Sequence, residues 1–113
     1  MVAKLPTRLA GKSSRPTSPT SPLTRAWGDP AITVTCGVGR PPELRETSSL
    51  YEVDAVTWFA IYDDDRVRYV ALDRRPYVEI SLPREIGGDK VLVPVGKVIA
   101  ALPKAEVDLR PAK

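Results

Sequence analysis

Val53-Asp54-Ala55-Val56-Thr57-Trp58-Phe59-Ala60-Ile61-Tyr62 is the stretch that decides how this chain of 113 residues folds. Val56, Trp58, Ala60 and Tyr62 alternate with Thr57, Phe59 and Ile61, a period of two in residue types that suit a pleated surface. Both faces are largely apolar, so a strand near the centre of a sheet is expected over Val53 to Tyr62. Asp63-Asp64-Asp65 then makes a short polar turn into Arg66 to Leu72, where Val67, Tyr69 and Ala71 alternate with Arg66, Arg68 and Val70. The two runs predict an antiparallel hairpin. Beyond the break at Arg74-Arg75-Pro76, Tyr77 to Leu82 places Val78, Ile80 and Leu82 inward, and upstream Ile32 and Val34 oppose Thr33 and Thr35 in a further strand.

Between these strands, Glu43 to Ser49 reads as a polar connection with one helical turn around Leu44. After the turn at Gly87-Gly88-Asp89 the period changes. Val91, Val95, Val98, Ile99 and Leu102 fall at three- and four-residue spacing, which predicts a short helix from about Pro94 to Leu102. Pro94 would then occupy the first turn, where its missing N–H costs little, and Pro103 would close the helix. A competing reading makes Val91 to Val95 a fifth strand, because β-branched residues dominate there. The expected class is α+β, a mainly antiparallel sheet of four or five strands with a short C-terminal helix; the alternative is a small all-β sandwich or barrel.

Residues 1–25 have a different composition. Pro6, Pro16, Pro19 and Pro22 stand among Ser-Pro and Thr-Ser-Pro steps, too poor in apolar groups to offset chain entropy. Leu5 to Leu9 is a docking candidate and Lys12 to Thr24 is expected to be extended. Five of the 17 bases, Lys4, Arg8, Lys12, Arg15 and Arg25, precede Trp27 and no acid does, which leaves 12 bases against 14 acids in the remainder, so the arm is basic and the folded part slightly acidic. Such an arm suits an anionic surface such as phospholipid headgroups, or serves simply as a solubilising tail. Residues 1–25 are therefore read as a basic tether, 26–103 as one compact domain and 104–113 as a polar tail. No run approaches the roughly 18 consecutive apolar residues of a membrane span, and no apolar stretch follows Met-Val-Ala-Lys as in a signal peptide. Nucleic acid is not expected as a partner, since no dense basic patch with interleaved aromatics accompanies the folded part.

Few residues suggest chemistry. The chain lacks histidine, which removes the usual general base and a common zinc ligand. Cys36, the sole cysteine, sits beside Gly37 and has only Arg40 near it in sequence to stabilise a thiolate, so it reads as a small buried hydrophobe at a strand end. Asp63-Asp64-Asp65 lacks the alternating ligands and mid-loop glycine of a calcium loop. Gly37-Val38-Gly39 fails as a dinucleotide fingerprint, and Gly87-Gly88-Asp89-Lys90 lacks the frame of a phosphate loop. Among Asp29, Glu52, Asp54 and Glu79 no pair stands out as a glycosidase couple. Neither a metal nor a cofactor is expected. Trp27 and Trp58, with Asp29 and Arg40 nearby in sequence, form a candidate ligand groove, against the plainer reading of two core pillars.

Ala26-Trp27-Gly28-Asp29-Pro30-Ala31-Ile32, Cys36-Gly37-Val38 with Arg40-Pro41, Val53-Asp54-Ala55-Val56-Thr57-Trp58, and Arg75-Pro76-Tyr77-Val78-Glu79-Ile80 with Pro83 together define a pattern. It resembles the small membrane-anchored envelope proteins of actinobacteria classed as a domain of unknown function, family thirty-five-fifteen. The resemblance spans nearly the whole chain and carries no known chemistry. It implies a hydrophobic anchor or lipid-modified cysteine upstream of residue 1, and hence the extracytoplasmic face of the cell membrane. It also implies a second cysteine shortly before the segment matching Val53, where this chain has Ser48-Ser49-Leu50-Tyr51; that departure removes the expected disulfide.

The function expected from these readings is a non-enzymatic envelope module that binds a protein partner or a cell-wall component. Trp27, Asp29, Arg40, Trp58 and Arg75 are its candidate binding residues. Two alternatives stand beside it: an envelope hydrolase using carboxylates or Cys36, and a structural subunit of an anchored complex.

Overall fold

Alternation along the strands divides the side chains between two faces of one sheet. In the computed structural model, which describes residues 5, 8–15, 24–28, 31–39, 41, 50–53 and 55–107, eight strands pair in the order β1-β2-β3-β4-β8-β7-β6-β5, all antiparallel. They are β1 (Arg8–Leu9), β2 (Lys12–Arg15), β3 (Thr24–Trp27), β4 (Ile32–Cys36), β5 (Leu50–Val53), β6 (Val56–Tyr62), β7 (Arg66–Ala71) and β8 (Val78–Pro83), followed by helix α1 (Asp89–Ile99). The sheet is two consecutive meanders, β1 to β4 and β5 to β8, whose last strands pair in the middle through Val34 opposite Ile80 and Cys36 opposite Val78.

One face carries Trp27, Ile32, Val34, Val56, Trp58, Val78, Ile80 and Leu82, and α1 lies against it with Val91, Leu92, Val95, Gly96 and Ile99 buried. Leu5 and Leu9 belong to the same core. The opposite face holds a smaller cluster of Phe59, Ile61, Val70 and Leu72, partly covered by Val38, Tyr77 and Val107. Where that face is uncovered it is polar: Arg66 Nε donates to Ser81 Oγ at 2.8 Å, and Arg68 pairs with Asp63 at 3.1 Å and Glu79 at 3.5 Å.

This architecture corrects the expected α+β class with four or five strands. Eight strands in one sheet with a single short helix lie closer to the all-β alternative. The four strands read from apolar alternation are β4, β6, β7 and β8. The additional ones, Arg-Leu, Lys-Ser-Ser-Arg, Thr-Arg-Ala-Trp and Leu-Tyr-Glu-Val, are two to four residues long, too short to show a repeated apolar alternation, so their pairing is decided by neighbours and turns. Ala10 and Gly11 at φ +50° and +76° form the two-residue link between β1 and β2, the left-handed pair that a tight hairpin demands.

Other expectations change as well. Residues 8–15 belong to the sheet and Leu5 and Leu9 to its core, so the compact unit extends well into the segment read as a tether. At the other end, Arg74 bridges to Lys104 and Val107 packs on the second cluster, which docks residues 104–107 where a tail was expected. The Val53 to Tyr62 run is split by a turn at Ala55 into the end of β5 and all of β6, and β6 lies one strand from the sheet edge instead of at its centre. The helix begins five residues earlier than expected, which excludes a strand over Val91 to Val95 and puts Pro94 inside the helix. Burial of Val91 and Val95 against the tryptophan face outweighs the strand preference of their branched side chains. The expected turn around Leu44 lies outside the described residues.

Candidate functional site

Charged side chains are seldom buried unless something holds them. Among the described residues Asp73 and Arg74 are buried, at 5% and 4% exposure, just past the end of β7. Thr57 marks the corresponding point on β6: its carbonyl accepts the Leu72 N–H at 2.9 Å, and its own N–H is taken by Asp73 Oδ1 at 3.1 Å. The carboxylate thus replaces the main-chain carbonyl that β7 ceases to supply. Its other oxygen lies 3.1 Å from Arg74 Nη1, and Arg74 Nη2 donates to the Ala55 carbonyl at 3.2 Å. Ala55 stands at φ +69° in the β5–β6 turn, so the buried arginine clamps a residue held in the left-handed region.

Arg75 fastens the returning C-terminal segment. Its N–H bonds the Pro103 carbonyl at 3.0 Å, its Nη1 reaches the Leu72 and Arg74 carbonyls at 2.9 and 3.0 Å, and its guanidinium lies 4.4 Å from the Tyr77 ring centre. With Ala105 N–H on the Asp73 carbonyl at 2.9 Å, residues 103–107 run beside the Asp73 segment and wall off an open cleft of about 530 Å³. Glu52, Thr57, Asp73, Lys104 and Glu106 supply its polar lining. Asp73 has both carboxylate oxygens engaged in the fold, while Glu52, Lys104 and Glu106 are exposed. The cleft therefore offers charged and hydroxyl groups for binding, and its buried acid is occupied.

A second cavity lies across β5. Glu52 points to the cleft, and by the strand's period of two Tyr51 and Val53 point to the other face. There, with Tyr62, Tyr69, Gly88, Asp89 and Leu92, they line a crevice of about 260 Å³ beside the start of α1. Tyr51 and Tyr62 are 46% and 59% exposed, although both are large aromatic residues. A hydrogen bond with Tyr51 raises the Tyr62 phenol above its ordinary pKa, and burial does so for Tyr69. A Cβ at residue 88 would stand 2.8 Å from the Tyr69 hydroxyl, which explains why glycine occupies the rim.

Among the described residues, the candidates Trp27, Trp58 and Arg75 line neither the cleft nor the crevice. Trp27 and Trp58 are both fully buried in the core beneath α1, the pillar arrangement. Asp29 and Arg40 lie outside the described residues. Arg75 is half-buried and engaged with main-chain carbonyls. Cys36 is buried at the end of β4. The cleft and the crevice were missed because their walls come from segments far apart in sequence. One signal for the crevice was available, since Tyr62 and Tyr69 already share the inward parity of Trp58 and Ala71; Tyr51 joins them only through the β5–β6 register.

A family model described as a protein of unknown function (DUF3515) matches residues 1–107 of the chain. No curated protein and no solved structure matches it. Among the described residues no helix is long and apolar enough to cross a membrane.

Proposed function

The chain belongs to the DUF3515 family, and from that premise we propose that it is a non-enzymatic binding module of the actinobacterial cell envelope. It works on the extracytoplasmic face of the membrane, with its basic N-terminal segment near anionic headgroups. The cleft between β5 and residues 103–107 takes a protein partner or a cell-wall component. What supports this reading is the state of Asp73. A catalytic acid or base must reach substrate and change its protonation during turnover. Asp73 instead closes the β6–β7 ladder and balances a buried guanidinium, which leaves the cleft with exposed groups suited to recognition.

Site-specific photo-crosslinking in the native envelope tests the proposal. A crosslinker at Lys104, exposed on the cleft wall, is expected to capture a discrete partner or wall fragment, and one at Glu85, which does not line the cleft, is expected to capture none. Equal, diffuse labelling from both positions would refute a binding role for the cleft. Loss of an envelope-hydrolysing activity on changing Glu52→Gln together with Glu106→Gln would favour the hydrolase instead.

A further inference from the structure

We propose that the tyrosine crevice is a saccharide-binding subsite, distinct from the cleft, which takes one ring of a neutral glycan. Its size, wall chemistry and charge all bear on the choice of ligand. A volume of about 260 Å³ lies just below the usual range of ligand pockets, room for a group the size of a single sugar ring. Tyr51 and Tyr62, 46% and 59% exposed, offer apolar ring carbon together with hydroxyl groups, the same division that a sugar ring shows between its C–H face and its hydroxyl rim. Asp89 supplies a carboxylate acceptor for ring hydroxyls.

Charge separates this ligand from its competitors. Asp89 lines the crevice and opposes an anion. A cation is opposed as well, because the Arg84 guanidinium already lies 5.9 Å from the centre of the Tyr62 ring. A phenol at the ordinary tyrosine value of 10.0 is already protonated at neutral pH, and Tyr62 and Tyr69 are raised above it, so both are neutral hydrogen-bonding groups. A protein partner would need roughly 800 Å² of surface on each side, far more than two half-exposed rings provide. A neutral polyol ring satisfies the remaining combination of aromatic face, hydroxyl donors and one acidic acceptor.

The test is a titration of the full chain with soluble neutral trisaccharides, chitotriose and cellotriose, read by the NMR shifts of the tyrosine ring signals. Saturable shifts confined to Tyr51, Tyr62 and Tyr69, with Kd on the order of 1 mM, are expected for a single-ring subsite. Tyr51→Ala with Tyr62→Ala should weaken binding at least about tenfold. Both residues are exposed, so the variant is expected to remain folded and to unfold cooperatively, and Asp89→Ala, on the exposed first turn of α1, removes the acceptor without altering a ring. The proposal is overturned if neither sugar gives saturable shifts, if the Tyr69 shift persists at the same sugar concentrations in the double variant, or if tetramethylammonium chloride binds where the sugars do not. Because the cleft residues are unchanged, this result stands apart from crosslinking at Lys104.

Discussion

The Asp73 carboxylate meets the Arg74 guanidinium at 3.1 Å with both side chains almost entirely removed from water. Neighbours in sequence, they leave β7 together and close two hairpins, Asp73 through Thr57 N–H and Arg74 through the Ala55 carbonyl. Removing one partner leaves the other as an uncompensated buried charge, so Asp73→Ala should destabilise the protein by about 3–5 kcal/mol. Urea unfolding measures this. Converting both residues to apolar ones of similar volume is expected to recover much of the loss; equal instability of the single and double variants would show that the pair does not act as a unit.

Leu9 tests whether the N-terminal segment is part of the folded unit. It is 2% exposed and packs in the core under α1, so Leu9→Ala should cost about 2–5 kcal/mol. A free tether predicts no change in the same denaturation experiment.

Ala55 stands in the left-handed region that glycine adopts without a side-chain clash. Ala55→Gly is expected to stabilise by about 1 kcal/mol, reduced somewhat by the greater freedom of glycine in the unfolded chain. A rise in melting temperature checks it, and a fall would mean that the Arg74 contact to this carbonyl depends on the alanine.

Tyr62 and Tyr69 are expected to ionise above the ordinary tyrosine value of 10.0, Tyr62 chiefly through its hydrogen bond with Tyr51 and Tyr69 chiefly through burial. Their folded-state pKa values exceed the unfolded ones, so their stabilising contribution is complete below pH 10 and is lost as pH rises through the folded values. Ultraviolet titration of phenolate absorbance resolves this. Tyr51→Phe should bring the Tyr62 transition back toward 10.0, and no movement would remove the hydrogen bond as its cause.

Legibility followed apolar content. β4, β6, β7 and β8 bury alternate side chains on a continuous core, and each leaves that alternation in its own residues. β2, with Lys-Ser-Ser-Arg, has no such pattern; it forms because the Ala10-Gly11 turn returns the chain and β3 offers an unpaired edge. The helix was legible as a helix but its start was not, since Gly87 and Gly88 read as a turn and Pro94 as a first-turn residue. At the candidate sites, the burial of the two tryptophans matched the plainer of two readings. The roles of Asp73, Arg74 and Arg75 were hidden because three consecutive charges in a sequence look like a solvated break.

By itself, the sequence determined the four strands with apolar alternation, the polar hairpin tip at Asp63 to Asp65, the presence of a helix near the C-terminus and the family pattern. These depend on local periodicity and on residue type, which a linear chain records directly. Only the tertiary structure decided that residues 8–15 extend the sheet, that Asp73 completes a ladder, and that Tyr51 meets Tyr62 and Tyr69 beside Gly88. Each of these depends on strand register or on a contact between distant segments. A shift of one residue in pairing would exchange Tyr51 for Glu52 at the crevice.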